Sequence, residues 1–374
     1  MNLVASISQG LEKEGAKELL ELGAQAVKSS RRHIFFEADM ACLYRLHLRS
    51  RLVFRFLREI CRFPCHGPSQ LYGGIQTAID WETWLLPKKS FRVDVTGFGE
   101  GLSHSHYTAL QVKNAIIDLQ RERWGFRSSI DLINPDICFH LHLANNEAVL
   151  SVDGSSSSLH KRGYKTAVGM APIKETLAAG LMRMTEWNGT NNLVDPLCGS
   201  GTFLIEAVSS FLGIASGKDR QFLFKNWPDF DISLWNKELK MAQEVKTLNR
   251  KLPKIIGCEV DEIIANSAMK NVKKSGLEDY IEVVNCNFQE FKLPSGLGLL
   301  VCNPPYGKRI GDEKLLPNLY KELGHYCKKE ASGWDLWLLN GNPKLSKYLG
   351  MKANQRFQVN NGSIDCRWLN YKIN

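Results

Sequence analysis

Four consecutive residues, Asn303-Pro304-Pro305-Tyr306, carry the chemistry that the chain is organised around. They follow Leu299-Leu300-Val301-Cys302, a short apolar run that reads as a buried strand ending in a turn. The two prolines remove two N–H donors and stiffen the backbone, so the carbonyl oxygens there are acceptors awaiting a donor. An Asn oxygen, a Pro carbonyl oxygen and a Tyr ring together suit a flat heterocycle with an exocyclic amino group. The oxygens take its two hydrogens and the ring stacks on its face. The same four residues would also serve as a proline turn closing a strand, with Tyr306 as a half-buried anchor.

A second constellation lies upstream. The strand Asn192-Leu193-Val194-Asp195 runs into Pro196-Leu197-Cys198-Gly199-Ser200-Gly201-Thr202, and a helix from Thr202 to about Phe211 follows. Strand, glycine turn and helix in that order form a nucleotide-cofactor site at the carboxyl end of a sheet. Gly199 and Gly201 let the backbone approach a ligand that a Cβ would exclude. The next strand, Ile255 to Val260, places the Glu259 carboxylate where it can accept both hydrogens of a ribose diol. No Gly-Lys-Ser/Thr follows and no Gly-x-Gly-x-x-Gly is present, so neither a Walker loop nor a dinucleotide fingerprint fits. Asp195 would repel a phosphate and suits an ammonium instead. S-adenosylmethionine, with an amino acid end, a ribose, an adenine and no phosphate, meets these requirements.

The elements around these motifs divide the chain. Leu3 to Ile7, His33 to Glu37 and Phe91 to Val95 read as strands, and Ile137 to Leu143 with Ala148 to Val152 as a hairpin-like pair. Helices are expected from Gln9 to Leu22, after the Asp39 cap, and from Tyr107 to Trp124. The arginine-rich stretch from Arg51 fits either a helical face or an alternating strand, and strand is preferred. Asp153-Gly154 and Ser155 to Ser158 read as a linker. Beyond it strands alternate with helices, which predicts a parallel sheet. Asn360-Asn361-Gly362, between two strand-like segments, predicts a closing antiparallel hairpin.

Length and composition bound the answer. A chain of 374 residues accommodates two or three domains, and 44% hydrophobic with 23% charged residues excludes wholesale disorder. No apolar run approaches a membrane span and the N-terminus lacks a signal-peptide pattern, so a cytoplasmic enzyme is expected. The ten cysteines include no Cys-x-x-Cys pair, and Cys61, Cys65 and His66 lack a second ligand pair, so no metal is expected. A net charge of +9 favours an anionic partner. Arg51, Arg55 and Arg58, in a run that also holds Arg45, Arg49 and Arg62, and Lys113 on the later helix, are candidate nucleic-acid contacts, although charge runs also form solvated faces.

Taken together, Asp195 to Thr202, Glu259 and Asn303-Pro304-Pro305-Tyr306 resemble the ordered motifs of class I S-adenosylmethionine-dependent amino-methyltransferases. The resemblance is closest to the RlmL-like RNA guanine methyltransferases that carry a THUMP domain. Lys161-Arg162-Gly163-Tyr164 and Ala171-Pro172-Ile173-Lys174-Glu175-Thr176 match that group's inter-domain segment. Phe224-Lys225-Asn226-Trp227-Pro228 and Trp235 match its insertion between the first two motif strands. The resemblance implies a ferredoxin-like segment (1–50), a THUMP RNA-binding domain (51–155) and a methyltransferase domain (156–374). It implies a Rossmann-like α/β fold with a mostly parallel seven-stranded sheet, preceded by α+β ferredoxin-like and THUMP domains. By the same resemblance, Asp195, Pro196 and Cys198 to Thr202 hold the methionine end of the cofactor. Glu259 and Val260 flank the ribose, and Pro172 and Lys174 lie on a nearby helix. Asn287 stands where the family usually has Asp against the adenine amine, and Lys165 where it more often has Arg.

The reaction so implied is methyl transfer from a sulfonium to an exocyclic amine of a base, guanine-N2 in 23S ribosomal RNA being favoured. Asn303, Pro304, Pro305 and Tyr306 are the catalytic set. Transfer RNA guanine or DNA adenine-N6 are alternative targets, since the motif fits an adenine amine equally well. An idle RNA-binding or assembly protein is the alternative from a different class.

Overall fold

A computed structural model of the chain describes residues 1–86, 88–165, 173–244, 252–307 and 314–374. They form two sheets. The first contains β1 (Asn2–Ile7), β2 (Gln25–Ser30), β3 (His33–Glu37), β4 (Val53–Pro64), β5 (Ser90–Gly97), β6 (Ser129–Ile130), β7 (Ile137–Ala144) and β8 (Glu147–Asp153), in the order β2-β3-β1-β4-β8-β7-β5-β6. The arginine-rich stretch is the strand β4, and it pairs with β1 on one side and β8 on the other. It therefore joins the first fifty residues and the following hundred into one continuous sheet. Leu3, Ala5 and Ile7 of β1 are buried while Val4 and Ser6 are partly open, the period-two pattern of a sheet covered on one face.

The second sheet contains β9 (Asn192–Asp195), β10 (Ile255–Glu259), β11 (Glu282–Asn285), β12 (Gly298–Cys302), β13 (Asp335–Asn340), β14 (Gln355–Asn361) and β15 (Ile364–Lys372), in the order β11-β10-β9-β12-β13-β15-β14. The first five are parallel and the last two form the expected antiparallel hairpin. β9 is wholly buried and β12 nearly so, because helices cover both faces. Phe203, on the helix Thr202–Phe211, stacks on Trp368 of β15 at 5.6 Å. On the opposite face Tyr320, from the helix Leu316–Glu330, donates its hydroxyl to Asn340 Oδ1 at 3.4 Å.

The junction between the sheets corrects one sequence expectation. Asp153, Gly154 and Ser155 are buried, not a flexible linker. Ser155 Oγ accepts the Phe56 N–H at 3.2 Å, and the Arg220 guanidinium donates to the Ser157 carbonyl at 2.8 Å. The serine run is strapped down from both sides. The arginine run is likewise occupied. Arg45 meets Glu238 through two hydrogen bonds, at 2.6 and 3.1 Å. Arg51 donates to the Ser209 carbonyl at 2.8 Å and lies 3.4 Å from the Glu206 carboxylate. Arg55 pairs with Asp153, and Arg58 pairs with Asp229 at 2.6 Å while lying over the Trp84 and Trp227 rings. Arg51, Arg55 and Arg58 therefore each make an ion pair with a carboxylate of this chain. Lys113 is half-buried on the helix Ser105–Trp124.

The N-terminal module also covers the outer edge of the second sheet. Asn360, on the edge strand β14, donates its N–H to the Gln9 carbonyl at 3.0 Å. Gly10 next to it has φ of 94°, and a Cβ there would stand 2.1 Å from the Gln358 carbonyl oxygen. Unpaired edges invite association, and this one is shielded by the chain's own loop. Gly10→Ala should therefore lower unfolding stability by more than ~1 kcal/mol, because it adds both a left-handed penalty and a backbone collision. Equilibrium denaturation compared with Gly73→Ala, where a Cβ meets nothing within 4 Å, checks the cause.

Candidate active site

β9 and β12 are parallel neighbours, with Leu193 beside Leu299 and Val194 beside Leu300. The chain leaves β9 towards β10 and β11 on one side, and reaches β13 on the other side of β12. Strand order reverses between β9 and β12, and such a switch point opens a crevice beyond the carboxyl ends of the strands. Asp195 ends β9, and Asn303 follows β12 one strand away. The glycine turn and the proline-rich turn therefore open on the same edge of the sheet.

The glycine turn is tied down by its neighbours. Asp195 Oδ1 accepts the Leu197 N–H at 3.1 Å, and the Cys198 N–H donates to the Cys258 carbonyl at 2.9 Å. Glu259 bridges the two strand ends, accepting the Gly199 N–H at Oε2 and the Asp261 N–H at Oε1, each at 3.0 Å. Each oxygen keeps a further lone pair for a ligand hydroxyl. Gly199 (φ 52°) and Gly201 (φ 76°) are both left-handed, and a Cβ on Gly199 would meet nothing within 4 Å. That open space above a bent backbone is what a ligand lying on the turn requires.

Electrostatics reinforce the geometry. Asp195 is 1% exposed. Burial, with a smaller contribution from the Glu259 charge, raises its carboxyl well above the usual carboxylate range, against the Leu197 hydrogen bond. Burial disfavours the charge there, and a cationic group of a ligand placed beside the carboxyl would restore it. Burial also raises the thiols of Cys198, Cys258 and Cys302, which disfavours their thiolate forms.

At the other turn, Asn303 Oδ1 is buried and takes no hydrogen bond among the described residues. An unsatisfied buried acceptor costs about 1–3 kcal/mol, and it points to a ligand donor. Pro304 is buried and Pro305 half-buried. Tyr306 is 9% exposed. Its hydroxyl accepts from Asn361 Nδ2 at 2.9 Å, and a Cβ on Gly341 would lie 2.8 Å from its ring. The ring is held in place as a wall of the turn.

The remaining expected residues divide. Ser200 and Thr202 share a hydroxyl contact at 3.1 Å on the turn. Val260 is an exposed apolar side chain beside Glu259. Asn287 caps a short 3-10 turn through the Gln289 N–H at 3.1 Å, using one of its two oxygen lone pairs. The Lys174 ammonium lies over the Phe54 ring at 5.2 Å. Pro172 falls outside the described residues. Sequence reading missed three amides. Asn271 donates to the Ser200 carbonyl at 3.0 Å, Asn285 to the Glu259 carbonyl at 2.8 Å, and Asn361 holds Tyr306. Only Asn361 had a sequence signal, and that signal marked a hairpin.

The features that S-adenosylmethionine needs are thus present: a buried carboxylate, a Cβ-free cradle and a second strand-end carboxylate. Among the described residues no group of three or more His, Cys, Asp or Glu side chains could hold a metal ion, and no helix is long and apolar enough to cross a membrane. Comparisons with known proteins agree with the geometry. Residues 162–370 match the family model described as RMKL-like, methyltransferase domain. Residues 74–153 match the THUMP domain, and residues 2–57 the RlmL ferredoxin-like domain. A Synechocystis sp. protein provisionally named an RNA methyltransferase is 42% identical over 99% of this chain and 96% of its own length. The ribosomal RNA large subunit methyltransferase K/L of Syntrophotalea carbinolica is 36% identical over 99% of this chain and 53% of that protein. The chain thus spans about half the length of its K/L relatives. The crystal structure of SMU.472, provisionally a methyltransferase and complexed with SAH, superposes with a TM-score of 0.90 at 28% identity, covering 100% of this chain and 98% of that one.

The raised Asp195 pKa has a stability consequence of definite sign. The unfolded chain ionises this carboxyl more readily than the folded one, so the ligand-free fold loses stability as pH rises above the ordinary carboxylate range. Asp195→Asn should therefore raise the ligand-free melting temperature at neutral pH by a few degrees, at about 2–4 °C per kcal/mol. The gain should shrink as pH falls through the range where Asp195 itself takes a proton. The same variant should lose S-adenosylmethionine affinity, so thermal melts across pH and a calorimetric titration read the two effects separately.

Proposed function

Because the chain belongs to the RMKL-like methyltransferase family, we propose that it methylates an exocyclic amine of a base in RNA, with guanine-N2 in ribosomal RNA as the target. The carrying observation is the buried, unsatisfied Asn303 Oδ1 at the strand switch point, one strand from Asp195. The THUMP match supports RNA over DNA, and the K/L relatives, named for ribosomal RNA of the large subunit, support the substrate class. Modification of that RNA would take place in the cytoplasm.

Asp195, the Cys198–Thr202 turn and Glu259 would hold S-adenosylmethionine, which supplies a methyl on a sulfonium. An exocyclic amine is a poor nucleophile because its lone pair is delocalised into the ring. Asn303 Oδ1 and the Pro304 carbonyl accept its two hydrogens and draw the nitrogen towards tetrahedral geometry as positive charge grows. The oxygens are oriented before the base arrives, so no reorganisation is needed during transfer. Tyr306, fixed by Asn361, offers its ring to the base. No base need act first: the N–C bond would form as the S–C bond breaks to leave a neutral thioether, and the amine, acidic only once alkylated, would then shed one proton to water. A base that is paired or stacked in its RNA must leave the stack to reach this pocket.

Asn303→Ala should reduce methyl transfer at least ~10²-fold and leave S-adenosylmethionine affinity within a few-fold. Equal loss of both would refute the division of roles. Mass spectrometry of nucleosides from cells with and without the gene should show loss of N2-methylguanosine from ribosomal RNA. Loss of N6-methyladenine from DNA instead would overturn the substrate.

A further inference from the structure

The β2–β3 hairpin is closed by just two residues, Arg31 and Arg32, with Ser30 paired to His33 across the turn. Arg32 has φ of 64°. That left-handed conformation is unfavourable for an L residue, and two-residue hairpin turns prefer Gly or Asn where it occurs. The backbone is held there without help from the side chain. The Arg32 N–H donates to Glu12 Oε1 at 2.9 Å, and the Arg32 carbonyl accepts the Ile7 N–H at 3.0 Å. Both guanidiniums are exposed. Among the described residues neither enters an ion pair; Arg49, Arg123, Arg127, Arg220, Arg356 and Arg367 share that property, but only Arg31 and Arg32 stand together at the tip of a hairpin turn. Two exposed arginines, neither in an ion pair among the described residues, occupy a turn whose backbone would favour other residues.

Their position is tied to the base pocket by a chain of contacts. Arg31 Nε donates to Gln9 Oε1 at 3.2 Å, and the Gln9 carbonyl accepts the Asn360 N–H at 3.0 Å. The next residue, Asn361, donates to the Tyr306 hydroxyl at 2.9 Å. Gly10 closes against Gln358 with no room for a Cβ, which fixes the spacing. The turn therefore lies at the carboxyl end of the catalytic sheet, in rigid register with Tyr306. Two acids are nearby. Glu12 spends its oxygens on the Gly10 and Arg32 N–H groups, and Asp365 accepts from Asn360 Nδ2.

We propose that the Arg31–Arg32 turn grips the phosphates of the RNA strand flanking the target nucleotide, so that the N-terminal module sets which base reaches Asn303. The inference rests on the RNA reading above. Guanidinium forks suit phosphate because they offer paired donors in one plane, and a grip fixed to the pocket wall would measure a set distance along the strand.

The test is binding of the full chain to 23S ribosomal RNA transcribed in vitro, from about 50 to 200 mM salt. Arg31→Gln with Arg32→Gln should weaken binding roughly tenfold at physiological salt and flatten the log–log salt slope by about 1.4, the share of two single-strand phosphate contacts. S-adenosylmethionine affinity should not change. Arg32→Gly separates the cation from the fold: it should melt no lower than the parent, since the turn is relieved, and still lose about half of the slope change. Parental affinity and slope in the double variant would overturn the grip, as would failure of the parent chain to bind this RNA. A parent chain that binds with the expected slope differences but methylates no RNA would uphold the grip and count against the assigned chemistry.

Discussion

Everything at the site depends on the parallel pairing of β9 with β12. These two short strands place a carboxylate and an amide from residues 108 positions apart in the chain at one edge, separated by a single inter-strand step of about 4.8 Å. A one-residue slip would turn every side chain of a strand to the opposite face. The register is protected because both strands are buried: Leu193, Val194, Leu300 and Val301 are all fully enclosed. A slip in β12 would force its apolar set into new surroundings on both sides. The site's geometry is thus secured by ordinary packing beneath it, and the loops above are free to carry groups that packing disfavours. Asp195, at the tip of β9, and Asn303, just past β12, are such groups: a buried carboxyl, and a buried acceptor with no donor among the described residues.

The frame extends beyond the catalytic sheet. Glu206 lies on the helix that begins at the glycine turn, and it is buried against Arg51 at 3.4 Å, the Tyr164 hydroxyl at 3.1 Å and Arg162 at 3.8 Å. Arg51 begins the run that becomes β4 of the other sheet. Breaking one partner of a buried ionic cluster leaves an uncompensated charge and costs about 3–5 kcal/mol. The two modules are therefore not beads on a string. Tyr44, Phe222, Phe224, Phe230 and Trp235 add an aromatic cluster at the same junction, with ring centroids 4.9 to 5.9 Å apart along its closest contacts.

What the sequence revealed follows from this division between local and distant causes. The helix Thr202–Phe211, the Asp39 cap, the closing hairpin and the strand preceding Asn303 were legible, because each is written in spacing and turn residues within a dozen positions. The motif turns were legible for the same reason. The junction was not. Ser155 to Ser158 have the composition of a flexible linker, and only Arg220 and Phe56, far away in sequence, turn them into a buried strap. The partners of the arginine run were hidden by the same mechanism. Arg45 on a helix, Arg51 just before β4, and Arg55 and Arg58 on it find their acids in Glu238, Glu206, Asp153 and Asp229. No local window contains those partners. Asn271, buried, and Asn285, exposed, were invisible because an amide that orients a distant loop looks in sequence like any other polar residue.

A rigid junction has a consequence for how a base could be reached. Were the N-terminal module hinged, it could carry bound RNA towards a pocket that waits open. Here the Arg51–Glu206 cluster, the Gly10 contact and the aromatic insertion oppose that motion at three separate places. The conformational work then falls on the nucleic acid, which must unstack and turn out one nucleotide at a cost of a few kcal/mol. The protein can offset that cost only with contacts that are already in place. Selectivity on this reading comes from which nucleotide in a folded RNA can be extruded cheaply at the position a fixed surface presents to Asn303. Such a device needs little direct reading of base edges.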